Sequence, residues 1–158
     1  MIEKLSHLDA DAIYNIINSA ARIYRGAIPD DCYHEPYMPR EELEKEMTRM
    51  TFFGWKDRKK LVGVMGFQPV DDVTLIRHAY VLPEYQGKGI GTRLLQHLKQ
   101  ITDTRRLLVG TWRGATRAIQ FYQKQEFKFL SNKDALLRRY WGISERQIET
   151  SVVLAIDL

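Results

Sequence analysis

Residues 80–95 read YVLPEYQGKGIGTRLL, with glycines at 87, 89 and 91. An apolar run ends at Val81 just before them, and Ile90, Leu94, Leu98 and Ile101 recur at helical spacing just after. The first run reads as a strand and the second as an amphipathic helix. A strand that passes through a tight turn into such a helix lays the helix on one face of a sheet. RLLVGTW, residues 106–112, then reads as a buried strand parallel to the first, completing a strand–helix–strand unit. The turn is also a ready anion site. Glycines let backbone N–H groups converge, and the helix dipole adds favourable partial charge.

The rest of the chain fits around this unit. Ile2 to Leu5 reads as a short strand, and Ser6 with Asp9 as a capping box with Asp in place of Glu. Ile13, Ile16, Ile17, Ala20 and Tyr24 mark a helix that Gly26 and Pro29 end. GAIPDDCYHEPYMP is a loop, and Pro39 suits the first turn of a second helix striped by Leu43, Met47 and Met50. Glu41 is spaced to pair with Lys45 there. TFFGW, LVGVMGF and VTLIRHAYV are three strands joined by the short links DRKK and QPVDD, which predicts antiparallel hairpins. Ala115, Ala118, Ile119 and Tyr122 mark a further helix, FKFL a strand and TSVVLAI a last strand. Asp134 is placed to cap a short helix between those two strands.

The 158 residues predict one domain, 1–158. No run approaches the roughly 18 apolar residues of a membrane span, and the N-terminus lacks a signal-peptide pattern. Cys32 is the only cysteine, so no internal disulfide forms and a reducing cytoplasm is the expected setting. The net charge of +4 suits an anionic ligand. It does not by itself make a nucleic-acid surface, because the basic residues are spread along the chain without aromatic interleaving.

Spacing narrows the anion. A Walker A loop needs glycine at 82 and Ser or Thr at 89, where the chain has Leu82 and Gly89. A dinucleotide fingerprint needs glycine at 92 or 94, where the chain has Thr92 and Leu94. What survives is Gln86-x-x-Gly89-x-Gly91 after a strand. This stretch resembles the signature of the GNAT-type N-acetyltransferase superfamily. A second block, AIQFYQKQEF at 118–127, is similar to that superfamily's A-x-x-F-Y-x-x-x-G-F. The likeness is strong from about residue 73 to 129.

The resemblance implies an α/β fold with a twisted mixed sheet of about seven strands, flanked by helices and splayed between the fourth and fifth strands. It implies an acetyl-CoA-dependent transferase that needs no metal. The pyrophosphate of the coenzyme is expected over Gln86, Gly87, Lys88, Gly89, Ile90, Gly91 and Thr92, and its pantetheine arm beside Val81 and Leu82. The Val81 N–H is expected to face the thioester carbonyl as an oxyanion donor. Tyr122, a phenol still protonated where a thiol has begun to ionise, is expected to protonate the departing thiolate. Dimers are common in the superfamily, so a homodimer is an expectation by analogy.

The base is open on the sequence. Thr74-Leu75-Ile76-Arg77 lacks the carboxylate that several superfamily members carry ahead of the turn. That departure keeps a non-catalytic acyl-CoA-binding module as the alternative reading. His78, His34, Glu35 and a water relay are the candidates for the base. Strand alternation sets His78 on the face opposite Arg77, Ala79 and Val81. Two further departures are Glu126, where glycine is usual, and Ala115, where asparagine is common. Arg113 and Arg117 are near enough to be phosphate contacts or surface ion pairs. The acceptor, a small-molecule or peptide amine, is expected between the 26–39 loop and the 131–150 insertion. The first carries Asp30, Asp31, Tyr33, Glu35 and Tyr37. The second carries Arg138, Arg139, Tyr140 and Trp141, the last equally suited to core or pocket.

Overall fold

The computed structural model describes residues 1–158. Seven strands and six α-helices alternate along it: β1 Ile2–Lys4, α1 Ala10–Ala21, α2 Arg40–Arg49, β2 Thr51–Asp57, β3 Lys60–Val70, β4 Val73–Val81, α3 Ile90–Ile101, β5 Arg106–Trp112, α4 Thr116–Lys124, β6 Lys128–Phe129, α5 Lys133–Tyr140, α6 Glu145–Thr150 and β7 Ser151–Asp157. One sheet holds all seven strands in the order β1-β2-β3-β4-β5-β7-β6. Only β4 and β5 run parallel, because the α3 crossover joins them; every other pairing is antiparallel. The mixed α/β sheet matches the expectation. No helix is long and apolar enough to cross a membrane.

The helices cover both faces. On one, Leu94, Leu95 and Leu98 of α3 and Tyr122 of α4 pack on Val62, Ile76, Leu107 and Leu154. On the other, Ile13, Ile16 and Ile17 of α1 and Leu43 of α2 pack on Phe52 and Val64. Beside these, Leu137, Tyr140 and Ile148 from α5 and α6 pack on Leu75, Leu108 and Val153.

Two departures from regular pairing shape the centre. β4 pairs with β5 only from Thr74–Leu107 to Ile76–Val109. Beyond Ile76, β4 stays with β3 as far as Val81, and β5 stays with β7 as far as Trp112, so the two diverge. In addition, Tyr80 pairs with Val64 but Arg77 with Gly66. His78 and Ala79 therefore share one partner, Met65, in a β-bulge, with His78 at φ +52°. The bulge restarts the alternation. Arg77 and His78 both reach Glu46 of α2, while Ala79 and Val81 pack on the α3 side. The expected separation of His78 from Ala79 and Val81 holds, but its separation from Arg77 does not.

Smaller differences have local causes. QPV belongs to β3, and the turn contracts to Asp71-Asp72, with Asp71 at φ +53°. FKFL is a strand only at Lys128–Phe129. The insertion forms two helices: Asn132, not Asp134, precedes α5, and Ser144 caps α6 with a capping box. Pro39 is the cap residue just before α2, and the ion pair along that helix is Arg40–Glu44.

α4 closes without glycine. The Glu126 N–H donates to Gln123 O at 3.0 Å and the Phe127 N–H to Tyr122 O at 3.0 Å, a Schellman closure with Glu126 at φ +71°. A side chain in that region costs on the order of 1 kcal/mol, and the exposed Glu126 carboxylate has no partner to offset it. Glu126→Gly is expected to raise stability by about 1 kcal/mol. An unchanged urea midpoint would contradict this account of the helix end.

Candidate active site

The glycine turn builds the first half of the site from backbone. Gly87 and Gly89 have φ of +78° and +80°, and a Cβ at either would meet nothing within 4 Å. Gly89 is the N-cap of α3 and offers no side chain, so the first-turn amides after it lack intrahelical acceptors. Together they form an open, donor-rich concavity that suits an anion. Gln86 secures it at both ends. Its Nε2 donates to Val81 O at 3.1 Å, and its Oε1 accepts from Arg117 Nη2 at 3.1 Å.

From there a cavity of about 390 Å³ runs between β4 and α4, past Tyr24, Val81, Ile90, Phe121 and Tyr122. The Leu82 N–H donates to Val62 O, which makes Gly63–Val81 a pair that exchanges no hydrogen bonds. The Val81 N–H therefore points away from β3, toward the opening left by β5. Tyr122 is buried in the core, lines this cavity and makes no hydrogen bond within the chain. Burial pushes its phenol well above the usual range, so it stays protonated.

A second cavity, of about 420 Å³, opens on the other side of β4. Tyr80 lines both. Its far walls are Trp112 of β5, Tyr37 of the 26–39 loop, and Leu137, Trp141 and Gln147 of the insertion. Trp141 packs closely on β5 at Gly110, where a Cβ would stand 3.3 Å from the indole. The Trp112 indole N–H donates to the Tyr37 hydroxyl at 3.0 Å. The charged lining comes from α2 and β4: Glu42, Glu46, Arg49 and Arg77.

Glu46 is the group that sequence reasoning missed. Its side chain is 9% exposed, and Oε1 lies 3.4 Å from Arg77 Nη2 and 3.5 Å from His78 Nε2. Oε2 is enclosed and has no partner. Burial alone would raise the Glu46 carboxyl, but His78 and Arg77 outweigh it and hold it below its usual range. His78 is pushed down, by burial first and then by Arg77, against the opposing pull of Glu46. A signal was present in the sequence: Glu46 falls between Leu43 and Met50 on the buried stripe of α2.

The remaining predicted residues separate cleanly. Gln86, Gly87, Gly89, Ile90, Gly91 and Thr92 line the first cavity with Val81 and Tyr122. Leu82 packs between the two cores, and Lys88 turns onto the Tyr85 ring. Arg117 stays beside the turn, whereas Arg113 is bound to Glu149 O. His34 lines the second cavity and bonds Pro36 O. Glu35 lines neither cavity; Arg25, Arg22 and Tyr33 hold it outside. Asp31 pairs with Arg146, Arg138 with Glu145 and Arg139 with Asp72, so these charges expected to greet the acceptor are spent on surface ion pairs, and Asp30 lines neither cavity.

A sequence model described as the acetyltransferase (GNAT) family matches residues 11–127. The chain belongs to this family. Its fold recurs in a PaiA N-acetyltransferase from Thermoplasma acidophilum, solved in complex with coenzyme A, at TM-score 0.76 and 20% identity, covering 100% of this chain and 98% of that one. A ribosomal-protein-S18-alanine N-acetyltransferase from Escherichia coli aligns at TM-score 0.69 and 18% identity, covering 99% and 92%. A GNAT-family acetyltransferase from Staphylococcus aureus Mu50 aligns at 0.75 and 16%, covering 100% and 98%. The family match ends at Phe127, before α5 and α6, which wall the second cavity.

Glu46 and His78 together set a pH dependence of stability, His78 through its burial and Glu46 through its neighbours His78 and Arg77. Both groups titrate lower in the fold than in the unfolded chain, so on acidification the unfolded state takes up protons first. Stability is fully present above pH 6.5, begins to fall below it through His78, and falls further below about 4.5 through Glu46. Denaturation midpoints between pH 4 and 8 should show this slope, and the double variant Glu46→Gln/His78→Gln should flatten it. An unchanged slope in the double variant would contradict the assignment.

Proposed function

We propose that the chain moves an acetyl group from acetyl-CoA to a primary amine of a small molecule or peptide, by direct attack while both are bound. One observation carries this reading. Tyr80, on the part of β4 that has left β5, lines both a cavity that begins at an anion-suited turn and a polar cavity on the other side of the strand. A GNAT-family neighbour solved with coenzyme A supports the choice of donor.

The residues fit that donor. The amides after Gly87 and Gly89 would hold the pyrophosphate, and Gln86 keeps the turn against β4. The diverged edge of β4 offers free backbone groups to an extended amide arm, as in strand addition. The coenzyme supplies an activated acetyl thioester. The Val81 N–H would then donate to the carbonyl oxygen as negative charge develops there. Tyr122, protonated and facing the same cavity, would supply the proton that the departing sulfur needs.

Thiol release from acetyl-CoA, followed across a panel of amines, amino acids and peptide N-termini, tests this directly. Turnover is expected with at least one amine class. Tyr122→Phe should lower kcat by roughly 10²- to 10⁴-fold and leave acetyl-CoA binding nearly unchanged. Acetyl-CoA binding without thiol release on any amine would instead favour a non-catalytic acyl-CoA-binding module.

A further inference from the structure

The second cavity is lined by charges of both signs that the fold itself does not fully use. Glu46 Oε2 is enclosed and has no donor, although Oε1 has Arg77 and His78 near it. An ionised carboxylate oxygen left in that state is costly, as is the likewise enclosed and unpartnered His78 Nε2, and a bound ammonium group would satisfy both once the two side chains turn into the cavity they line. Arg49 stands three residues along α2 from Glu46, on the same side of the helix, and it too lines the cavity. Its guanidinium makes no hydrogen bond or ion pair within the chain and is free to take an anion. A carboxylate matches its fork geometry. One helix face thus offers a site for a cation beside a site for an anion. Trp112, Trp141 and Leu137 give the far side an apolar wall.

We propose that this cavity binds a small amino-carboxylate, with its ammonium on Glu46 Oε2, its carboxylate on Arg49, and His78 receiving the proton that leaves the amine. The proposal rests on the transferase reading above and names the acceptor class for it. The groups facing His78 are Arg77 on β4 and Glu46 and Glu42 on α2. Burial and Arg77 favour the neutral imidazole, the form that accepts a proton. His78 takes one proton from the ammonium, and the freed nitrogen lone pair forms the N–C bond. The C–S bond breaks with its electron pair going to sulfur, which takes the Tyr122 proton. The second proton lost by the nitrogen restores Tyr122, and His78 returns its proton to solvent. The products are an N-acetyl amino-carboxylate, a thiol and one released proton.

The experiment is thiol release by the full chain with acetyl-CoA and matched acceptors: aromatic and aliphatic amino acids, their carboxamides, the corresponding amines lacking the carboxylate, spermidine, and short peptides. The free amino acids are expected to have kcat/KM roughly ten- to a hundredfold above their carboxamides. Arg49→Met, at an exposed position, should erase that ratio without changing KM for acetyl-CoA. Glu46→Gln should raise acceptor KM, and His78→Gln should lower kcat and remove the acid limb of its pH profile. Preference for carboxamides, spermidine or peptides, or an acid-to-amide ratio indifferent to Arg49→Met, overturns the amino-carboxylate assignment but leaves the transferase reading intact. No thiol release with any acceptor overturns both. Where Glu46→Gln fails to fold, as judged by its melting transition, the Arg49→Met ratio decides alone.

Discussion

The site depends on β4 and β5 sharing only three paired positions, Thr74–Leu107 to Ile76–Val109. Parallel neighbours ordinarily continue side by side, because separating them strips backbone groups of partners. Here each strand keeps its other neighbour: β3 holds β4 to Val81, and β7 holds β5 to Trp112. The opening is therefore bounded by two rigid hairpin-like edges rather than by loops. Its two sides become two cavities, and Tyr80 is the one side chain common to both linings named above. A site assembled on strand edges keeps its donors in place without relying on mobile segments.

The bulge at His78 decides what each cavity contains. Without it, alternation would turn His78 toward α3 and Tyr80 with it. With it, Ala79 and Val81 line the α3 side, while His78 stays with Arg77 against Glu46. A non-glycine residue at φ +52° costs on the order of 1 kcal/mol, so the arrangement is held by its surroundings. Those surroundings include Phe52, whose ring stacks at 6.1 Å on the His78 imidazole, and the buried carboxylate of Glu46. Strain and electrostatics are thus concentrated at the same point of β4, two residues from the Tyr80 that lines both cavities.

The geometry of the glycine turn was largely legible because it is made of backbone. A turn that needs left-handed residues at 87 and 89 shows its glycines openly, and the second block then supplied Tyr122. The antiparallel run β2-β3-β4 and the parallel pair β4–β5 also followed from hairpin-length links and a single crossover, whereas the place of β7 between β5 and β6 did not. The acceptor half was not legible, for two physical reasons. A bulge is one extra residue in an otherwise periodic strand, and β-branched and aromatic composition does not reveal it. Charge-rich loops attract attention, yet Asp31, Glu35, Arg138 and Arg139 pair with Arg146, Arg25, Glu145 and Asp72 at the surface. Glu46 was overlooked because helix α2 reads as a solvated, charged helix with a thin apolar stripe, and its spacing on that stripe does not show that the carboxylate is buried against Arg77 and His78.

The division between legible and hidden follows the chemistry each half performs. Every acetyl-CoA presents the same phosphates and the same amide arm, so main-chain donors at set spacings suffice, and they leave a local motif. An acceptor is recognised by its particular charges and shape, which only side chains can match. In the proposed acceptor cavity those side chains would come from α2, β4, β5 and the two helices after Phe127, with the 26–39 loop fastened over them by Asp31–Arg146. That ion pair is exposed and contributes little stability, but it fixes where Tyr37 meets Trp112. On the proposed reading, selectivity for the acceptor would be a property of contacts between segments distant in the chain. The cavity they form is read through its unsatisfied groups, Glu46 Oε2 first among them, rather than through any run of residues.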